Sequence, residues 1–361
     1  LNGFEQFRDK EHVKTLVQKL HTIYPGGELK LMEVCGTHTM AIARYGLREL
    51  MPKGLHLISG PGCPVCVTPS SIINASIGLA ALPGTVIVTF GDMMRVPGSE
   101  KSLENLKAEG ADIRVIYSVL DMIEMAQKER KKRFVFISVG FETTTPGTAL
   151  VISEAESRGL DNVFFLVANR LVVPALHALC TSEDIQIDGF LCPGHVSVII
   201  GYGAYREIAD KYGVPCVVAG FEPVDILMAI IDIAARVSSH TAGVGNAYGR
   251  AVTAKGNTRA QDIMRKVFNT VDAEWRGIGL IPESGLALQE EYERFDALKF
   301  FDVPLVSKPD PKGCRCGDVL KGVIIPPECA LFGKKCTPTS PVGPCMVSSE
   351  GSCAAYYKYG D

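Results

Sequence analysis

Short apolar, β-branched runs alternate with stretches of helical periodicity through the first 240 residues. The runs predict strands at Leu29–Val34, Leu55–Ser59, Val86–Phe90, Ile113–Tyr117, Phe134–Val139, Val163–Val167, Phe190–Leu191 and Val217–Ala219. Between them the pattern predicts helices near Met40–Leu50, Ser70–Leu82, Ser118–Lys128, Thr148–Arg158, Tyr205–Tyr212 and Pro223–Ser238. Apolar strands separated by helices imply parallel sheets covered on both faces. The expected fold class is therefore α/β, with two small Rossmann-like parallel-sheet domains at 1–120 and 121–240. After 241 the texture changes: Ala242–Gly249 is Gly-rich, strand signals thin out, and beyond Lys308 a Pro/Gly/Cys-rich tail has little periodicity. This third region, 241–361, is expected to be an irregular domain ordered by a metal cluster or disulfide rather than by packing.

In sheets of this kind ligands collect at the carboxyl ends of the strands. Cys35, Cys63, Cys66, Asp92, Glu142 and His195 all fall just after predicted strands, which argues for one shared cleft. Gly-Phe-Glu occurs twice after strands, at 140–142 and 220–222, as though two similar units were built alike. Glu142-Thr-Thr-Thr145 reads equally as a ligand contact or as a helix cap.

Composition narrows the class. With 47% apolar and 21% charged residues the chain is an ordinary globular protein. A net charge of -3 gives no electrostatic reason to expect nucleic acid or an anionic membrane. The longest apolar runs are broken by Pro or His, and no leader pattern opens the chain, so neither a bilayer span nor export is expected. Clustered thiols in such a chain read as metal or redox chemistry in a reducing cytoplasm.

Half of the 12 cysteines lie in the last 48 residues, at 314, 316, 329, 336, 345 and 353. Structural zinc sites usually carry two C-x-x-C pairs, and this tail has none. Gaps of 7, 9 and 8 residues from Cys329 to Cys353 suit thiolates drawn from separate loops around a 4Fe–4S cubane, with two sulfurs left over. Upstream, Cys63-Pro-Val-Cys66 has the spacing of a redox pair or a metal clasp. In Cys35-Gly-Thr-His38 the imidazole can share a metal with the thiolate or activate it. Cys180, Cys192 and Cys216 sit in apolar stretches and read as core residues, Cys192 being the nearest to the expected cleft. His12, His21, His56, His177 and His240 have no partner motif. No Walker A sequence and no C-x-x-x-C-x-x-C occur, which disfavours P-loop and radical S-adenosylmethionine chemistry.

Together the motifs resemble one family. Met32-Glu-Val-Cys-Gly-Thr-His38, Gly60-Pro-Gly-Cys-Pro-Val-Cys66, Gly140-Phe-Glu-Thr-Thr-Thr-Pro146 and Pro193-Gly-His195 look like the blocks of the HypD family of NiFe-hydrogenase maturation factors. So do Glu328–Pro338 and Met346-Val-Ser-Ser-Glu-Gly-Ser-Cys353. The resemblance implies a cytoplasmic scaffold that works with HypC to assemble the Fe(CN)2CO fragment. HypE, charged by HypF, would donate cyanide, and the hydrogenase large-subunit precursor would be reached through HypC. It further implies that Cys35 holds the transient mononuclear iron beside the redox pair Cys63 and Cys66. His38, Thr143, Thr144, His195 and Glu350 fall in the motif blocks and would line the same cleft. The tail also resembles the cluster surroundings of ferredoxin:thioredoxin reductase. That analogy assigns Cys314, Cys329, Cys336 and Cys353 to a 4Fe–4S cluster and Cys316 with Cys345 to a redox disulfide. A thiol–disulfide reductase, or a binding module with a purely structural cluster, are the competing readings.

Overall fold

A computed structural model describes residues 5–307 and 309–360 of the chain. All eight expected strands form: β1 (Leu29–Glu33), β2 (Leu55–Ser59), β3 (Thr85–Thr89), β4 (Ile113–Val115), β5 (Arg133–Ser138), β6 (Val163–Val167), β7 (Gly189–Pro193) and β8 (Cys216–Ala219). The Gly-rich stretch adds a ninth, β9 (Val244–Asn246). They make two parallel sheets, ordered β2-β1-β7-β8-β9 and β4-β3-β5-β6. The chain thus has the expected α/β class, with parallel sheets and a cysteine-rich C-terminal region.

The sheets are not consecutive in the chain. Strand β1 pairs with β7, Leu31 opposite Gly189, so the sheet begun near the N-terminus is completed after the whole second sheet has been made. A boundary at residue 120 would separate β4 from β5, which share one sheet through β3. Local periodicity marks strands but carries no record of which distant strand each will meet.

Each sheet buries both faces. In the first, Leu29 and Leu31 face the helices Lys10–Ile23 and Pro223–Ser238, while Met32 turns into the opposite core. In the second, Val86 and Val88 pack on one side and Ile87 on the other, as strand alternation requires. Met32 and Ile87 belong to one continuous core, which also takes in Cys316, Cys336, Cys345, Met346 and Cys353 of the tail. The tail is therefore wedged between the sheets rather than appended to them.

Beyond 241 the structure is more regular than its sequence implied. Helix Thr258–Val267 leads into an antiparallel hairpin of β10 (Phe268–Trp275) and β11 (Gly279–Leu288), irregular between Val271 and Ala273. Asn269, Asp272, Pro282 and Glu283 mask the alternation there. Short helices Cys316–Leu320 and Ser352–Tyr359 punctuate the tail. Among the described residues no helix is long and apolar enough to cross a membrane.

Candidate functional site

The carboxyl ends of strands from both sheets open onto one cavity of about 300 Å³. Val34 and Cys35 follow β1, Gly62 follows β2, Phe90 to Met93 follow β3, Val139 to Phe141 follow β5, and Pro193 and His195 close β7. Ser348 and Glu350 of the tail complete the lining. Of the residues expected there, Cys35, Asp92, Thr143, Thr144, His195 and Glu350 line this cleft.

Cys35 is the N-cap of the helix Gly36–Arg44 and is 8% exposed. Its sulfur lies near the N–H groups of Thr37 and His38 without a capping hydrogen bond. Those donors, at a helix N-terminus, favour a thiolate. Burial outweighs them and, with nearby Glu350, pushes the thiol up to about 12. Thr37 Oγ1 also donates to Glu350 Oε1 at 2.8 Å. Burial likewise raises the Glu350 carboxyl above its ordinary value, with Asp92 adding to the effect. Thr37 thus holds Glu350 beside Cys35 in the same cleft. Ser348 Oγ ties the tail to the cleft by donating to Asp92 Oδ2 at 3.0 Å. Two glycines permit the close approach. A Cβ on Gly36 would collide with the Glu350 carbonyl oxygen, and one on Gly62 with the Cys35 backbone.

His38 lies behind the cleft rather than in its lining. It is fully buried, and Nε2 donates to the Gly220 carbonyl at 2.9 Å. That bond leaves Nδ1 as the unprotonated nitrogen, buried and without a partner. Desolvation lowers its pKa to about 4, so the ring stays neutral. Phe221 stands between the two histidines, 5.0 Å from the His38 ring and 4.1 Å from that of His195. The second Gly-Phe-Glu copy thus supports His195. In the first copy Phe141 stacks on Trp275 of the hairpin at 5.8 Å. Glu142 departs from the expected cleft altogether: its neighbours face the cavity, while its own side chain lines a different groove.

Cys63 and Cys66 also lie behind the cleft wall formed by Gly62, Pro64 and Val65. Cys63 caps the short helix Pro64–Val67 and accepts the Cys66 N–H at 3.2 Å. Cys66 is buried, and desolvation holds its thiol well above the ordinary value. Its thiol feels Cys345 of the tail. Cys345 in turn feels Cys316 and Cys353, and Cys314 Sγ lies 3.3 Å from Cys316 Sγ. Cys336 Sγ accepts the Val342 N–H and feels both Cys314 and Cys316. Cys329 Sγ faces the Gly313 carbonyl, one residue from Cys314. All 12 cysteines are unpaired, so Cys316 and Cys345 are neighbouring thiols here. Among the described residues no three Cys, His, Asp or Glu side chains are spaced to hold a single metal ion. The six tail sulfurs suit an iron–sulfur cluster in kind: soft donors, gathered from separate loops, largely shielded from water. Cys192 and Cys216 are fully buried in adjacent strands and Cys180 is half-buried beside them, as core residues should be.

Thr37 and Ser348 were not singled out in sequence. Both lie inside motif blocks, and only the folded tail brings Ser348 to Asp92.

Comparison with known proteins agrees with this architecture. Residues 11–360 match the family model HypD, described as the hydrogenase formation hypA family. The chain is 45% identical over 352 residues to a putative hydrogenase expression/formation protein of Methanocaldococcus jannaschii, covering 97% of this chain and 98% of that one. It is 44% identical to the hydrogenase maturation factor HypD of Cupriavidus necator, covering 99% and 96%. The HypD of Escherichia coli is 42% identical, covering 98% and 97%.

Proposed function

The chain belongs to the HypD family of hydrogenase maturation factors, and from that premise we propose that its cleft is the workplace of iron-ligand assembly. In this reading Cys35 is the protein ligand of a mononuclear iron that becomes Fe(CN)2CO, shared with HypC and supplied with cyanide by HypE after charging by HypF. The finished fragment passes to the hydrogenase large-subunit precursor through HypC, in the cytoplasm. One observation carries the proposal: Cys35 lines a partly apolar cavity whose wall also carries Thr37, hydrogen-bonded to the Glu350 carboxyl.

A buried thiol held near 12 must lose its proton before it can bind iron(II). Glu350, which shares the cavity with Cys35 and whose charge is felt at its thiol, is the base that takes it. The balance is Cys35–SH plus Glu350 carboxylate plus the incoming iron(II) giving iron-bound Cys35 thiolate plus Glu350 carboxylic acid. Apolar walls from Val34, Met93 and Phe141 would keep water from the fragment.

The line of sulfurs from Cys63 to the tail supports a second role. With Cys316 and Cys345 oxidised to a disulfide, a Cys66 thiolate attacking Cys345 releases Cys316 as a thiolate. Cys63 then attacks Cys66 and releases Cys345, leaving a Cys63–Cys66 disulfide and two tail thiols. Two electrons move by exchange of S–S bonds, with no outside reagent. A 4Fe–4S cluster held by Cys314, Cys329, Cys336 and Cys353 would supply single electrons beside this exchange. Reduction of a separate thioredoxin-like protein is the weaker reading, because Cys63 is 3% exposed and Cys66 fully buried.

Infrared spectra of the anaerobic chain purified with HypC test the iron ligand. Cyanide and carbonyl bands are expected for the native chain and absent for Cys35→Ala; bands that persist in the variant remove Cys35 from its role. For the tail, Cys329→Ala and Cys336→Ala are expected to lose the cluster's visible absorption and iron content.

A further inference from the structure

Strand β2 forms one edge of the first sheet and pairs only with β1. Leu29 N–H donates to the Gly54 carbonyl and Gly60 N–H to the Glu33 carbonyl, at 2.8 and 2.9 Å. Even-numbered positions of β2 therefore face β1, and Leu55 and Leu57 turn their backbone groups out of the sheet. Two of those four groups are engaged. Leu55 N–H donates to the Pro52 carbonyl, and the Leu57 carbonyl accepts Arg48 Nε at 3.5 Å. Among the described residues nothing bonds the Leu55 carbonyl or the Leu57 N–H. A groove of about 570 Å³ is lined by Leu55, His56, Leu57 and Ile58 in succession. Leu55 and Leu57 belong to one core, and Ile58 to the core on the other face. Successive residues point to opposite faces, so a space that touches all four lies along the edge itself. Its far wall is the tail stretch 322–325, with Val323 and Ile325 47% and 43% exposed. Gly322 packs against Ile58, which puts this wall on the Ile58 face of the strand.

We propose that the groove takes an extended segment of a partner protein, added to β2 as a sixth strand and running parallel to it. The free groups select the direction. In a parallel ladder one incoming residue, opposite His56, donates its N–H to the Leu55 carbonyl and accepts the Leu57 N–H. An antiparallel strand needs both groups of a single residue, and Leu55 and Leu57 each have one group taken. The same bonds exclude two copies of this chain meeting β2 to β2 about a two-fold axis, since that pairing is antiparallel. Opposed residues of parallel strands share a face, so the residues that bond β2 also turn their side chains toward Val323 and Ile325. The segment therefore carries apolar side chains at those alternate positions. Its far wall joins Cys316 to Cys329, so the partner rests on the cysteine-rich tail. The inference does not depend on what the cleft assembles.

The test uses the full chain and the probe peptide acetyl-Lys-Thr-Val-Thr-Val-Thr-Lys-amide, with one form N-methylated at both valines and another at the inner threonines. Binding is read by titration calorimetry and by hydrogen exchange of the Leu57 amide. Saturable binding is expected, with exchange at Leu57 slowed at least about ten-fold. Methylated valines should weaken the peptide at least about ten-fold, because they lose the N–H donated to Leu55, and methylated threonines less than about three-fold. These forms need no change to the chain. Val323→Asp, at a half-exposed position, should weaken the native peptide at least about five-fold. Absence of saturable binding, unchanged exchange at Leu57, equal loss from the two methylation patterns, or binding indifferent to Val323→Asp would overturn the site.

Discussion

Thr37 Oγ1 donates a hydrogen bond to Glu350 Oε1 at 2.8 Å, although the two residues are 313 positions apart. This contact joins the first strand–helix turn to the cysteine-rich tail, at the point where Cys35 enters the cleft. Removing the hydroxyl with Thr37→Val leaves a largely buried carboxyl without that partner. The expected cost is about 1–3 kcal/mol, read as a lower urea midpoint. On the proposed reading, iron-fragment binding at Cys35 should fall with it, because Glu350 loses the bond that holds it beside Cys35, whereas Thr37→Ser should restore both.

Gly36 is the complement of that contact. Its α-carbon lies so close to the Glu350 carbonyl that a methyl group cannot fit unless helix and tail separate. Gly36→Ala is expected to destabilise the chain by about 1–3 kcal/mol and to expose the tail. Limited proteolysis should cut between residues 340 and 351 faster in the variant, and equal rates would mean that the tail absorbs the methyl without moving.

His38 makes stability depend on pH in a defined direction. Its folded pKa, lowered chiefly by desolvation, is about 4 against an ordinary 6.5. A depressed folded value means that the stabilisation is present in full above pH 6.5 and is lost as pH falls from there toward 4. The expected loss over that window is about 3 kcal/mol. His38→Gln can still donate to the Gly220 carbonyl but does not titrate. Its unfolding midpoint should change less than that of the native chain between pH 7 and 4.5, and parallel curves would refute the assignment.

The sulfur line should reveal itself chemically. Mild diamide oxidation of the iron-free chain is expected to yield Cys63–Cys66 and Cys66–Cys345 linkages in peptide mass maps, because Cys63 Sγ sits on the Cys66 N–H and Cys345 acts on the Cys66 thiol. Cys345→Ser should leave only Cys63–Cys66 among the linkages of Cys66. A Cys66–Cys180 product would require unfolding and would contradict the arrangement.

Several features were readable in the chain beforehand. The eight strands of the sheets were marked by β-branched runs, and Cys35, Asp92 and His195 stood after strands whose carboxyl ends do face one cleft. The hairpin Phe268–Leu288 was not legible. Asn269, Asp272, Pro282 and Glu283 interrupt the alternation that signals a strand, and the pairing is held by Trp275 and Leu286 packing on residues far away in sequence. Glu142 shows another limit. Its position after β5 was evident, but the direction of its side chain depends on the Val172 N–H, which a helix 30 residues later presents.

Local pattern was enough for the class of fold and the strand ends, since each depends on neighbours within a few positions. Which strands share a sheet, that Glu350 meets Thr37, and that Cys66 and Cys345 lie in the same core depended on long-range packing. Contacts between segments hundreds of residues apart are selected by burial and shape complementarity over the whole molecule, and no window of sequence contains both partners.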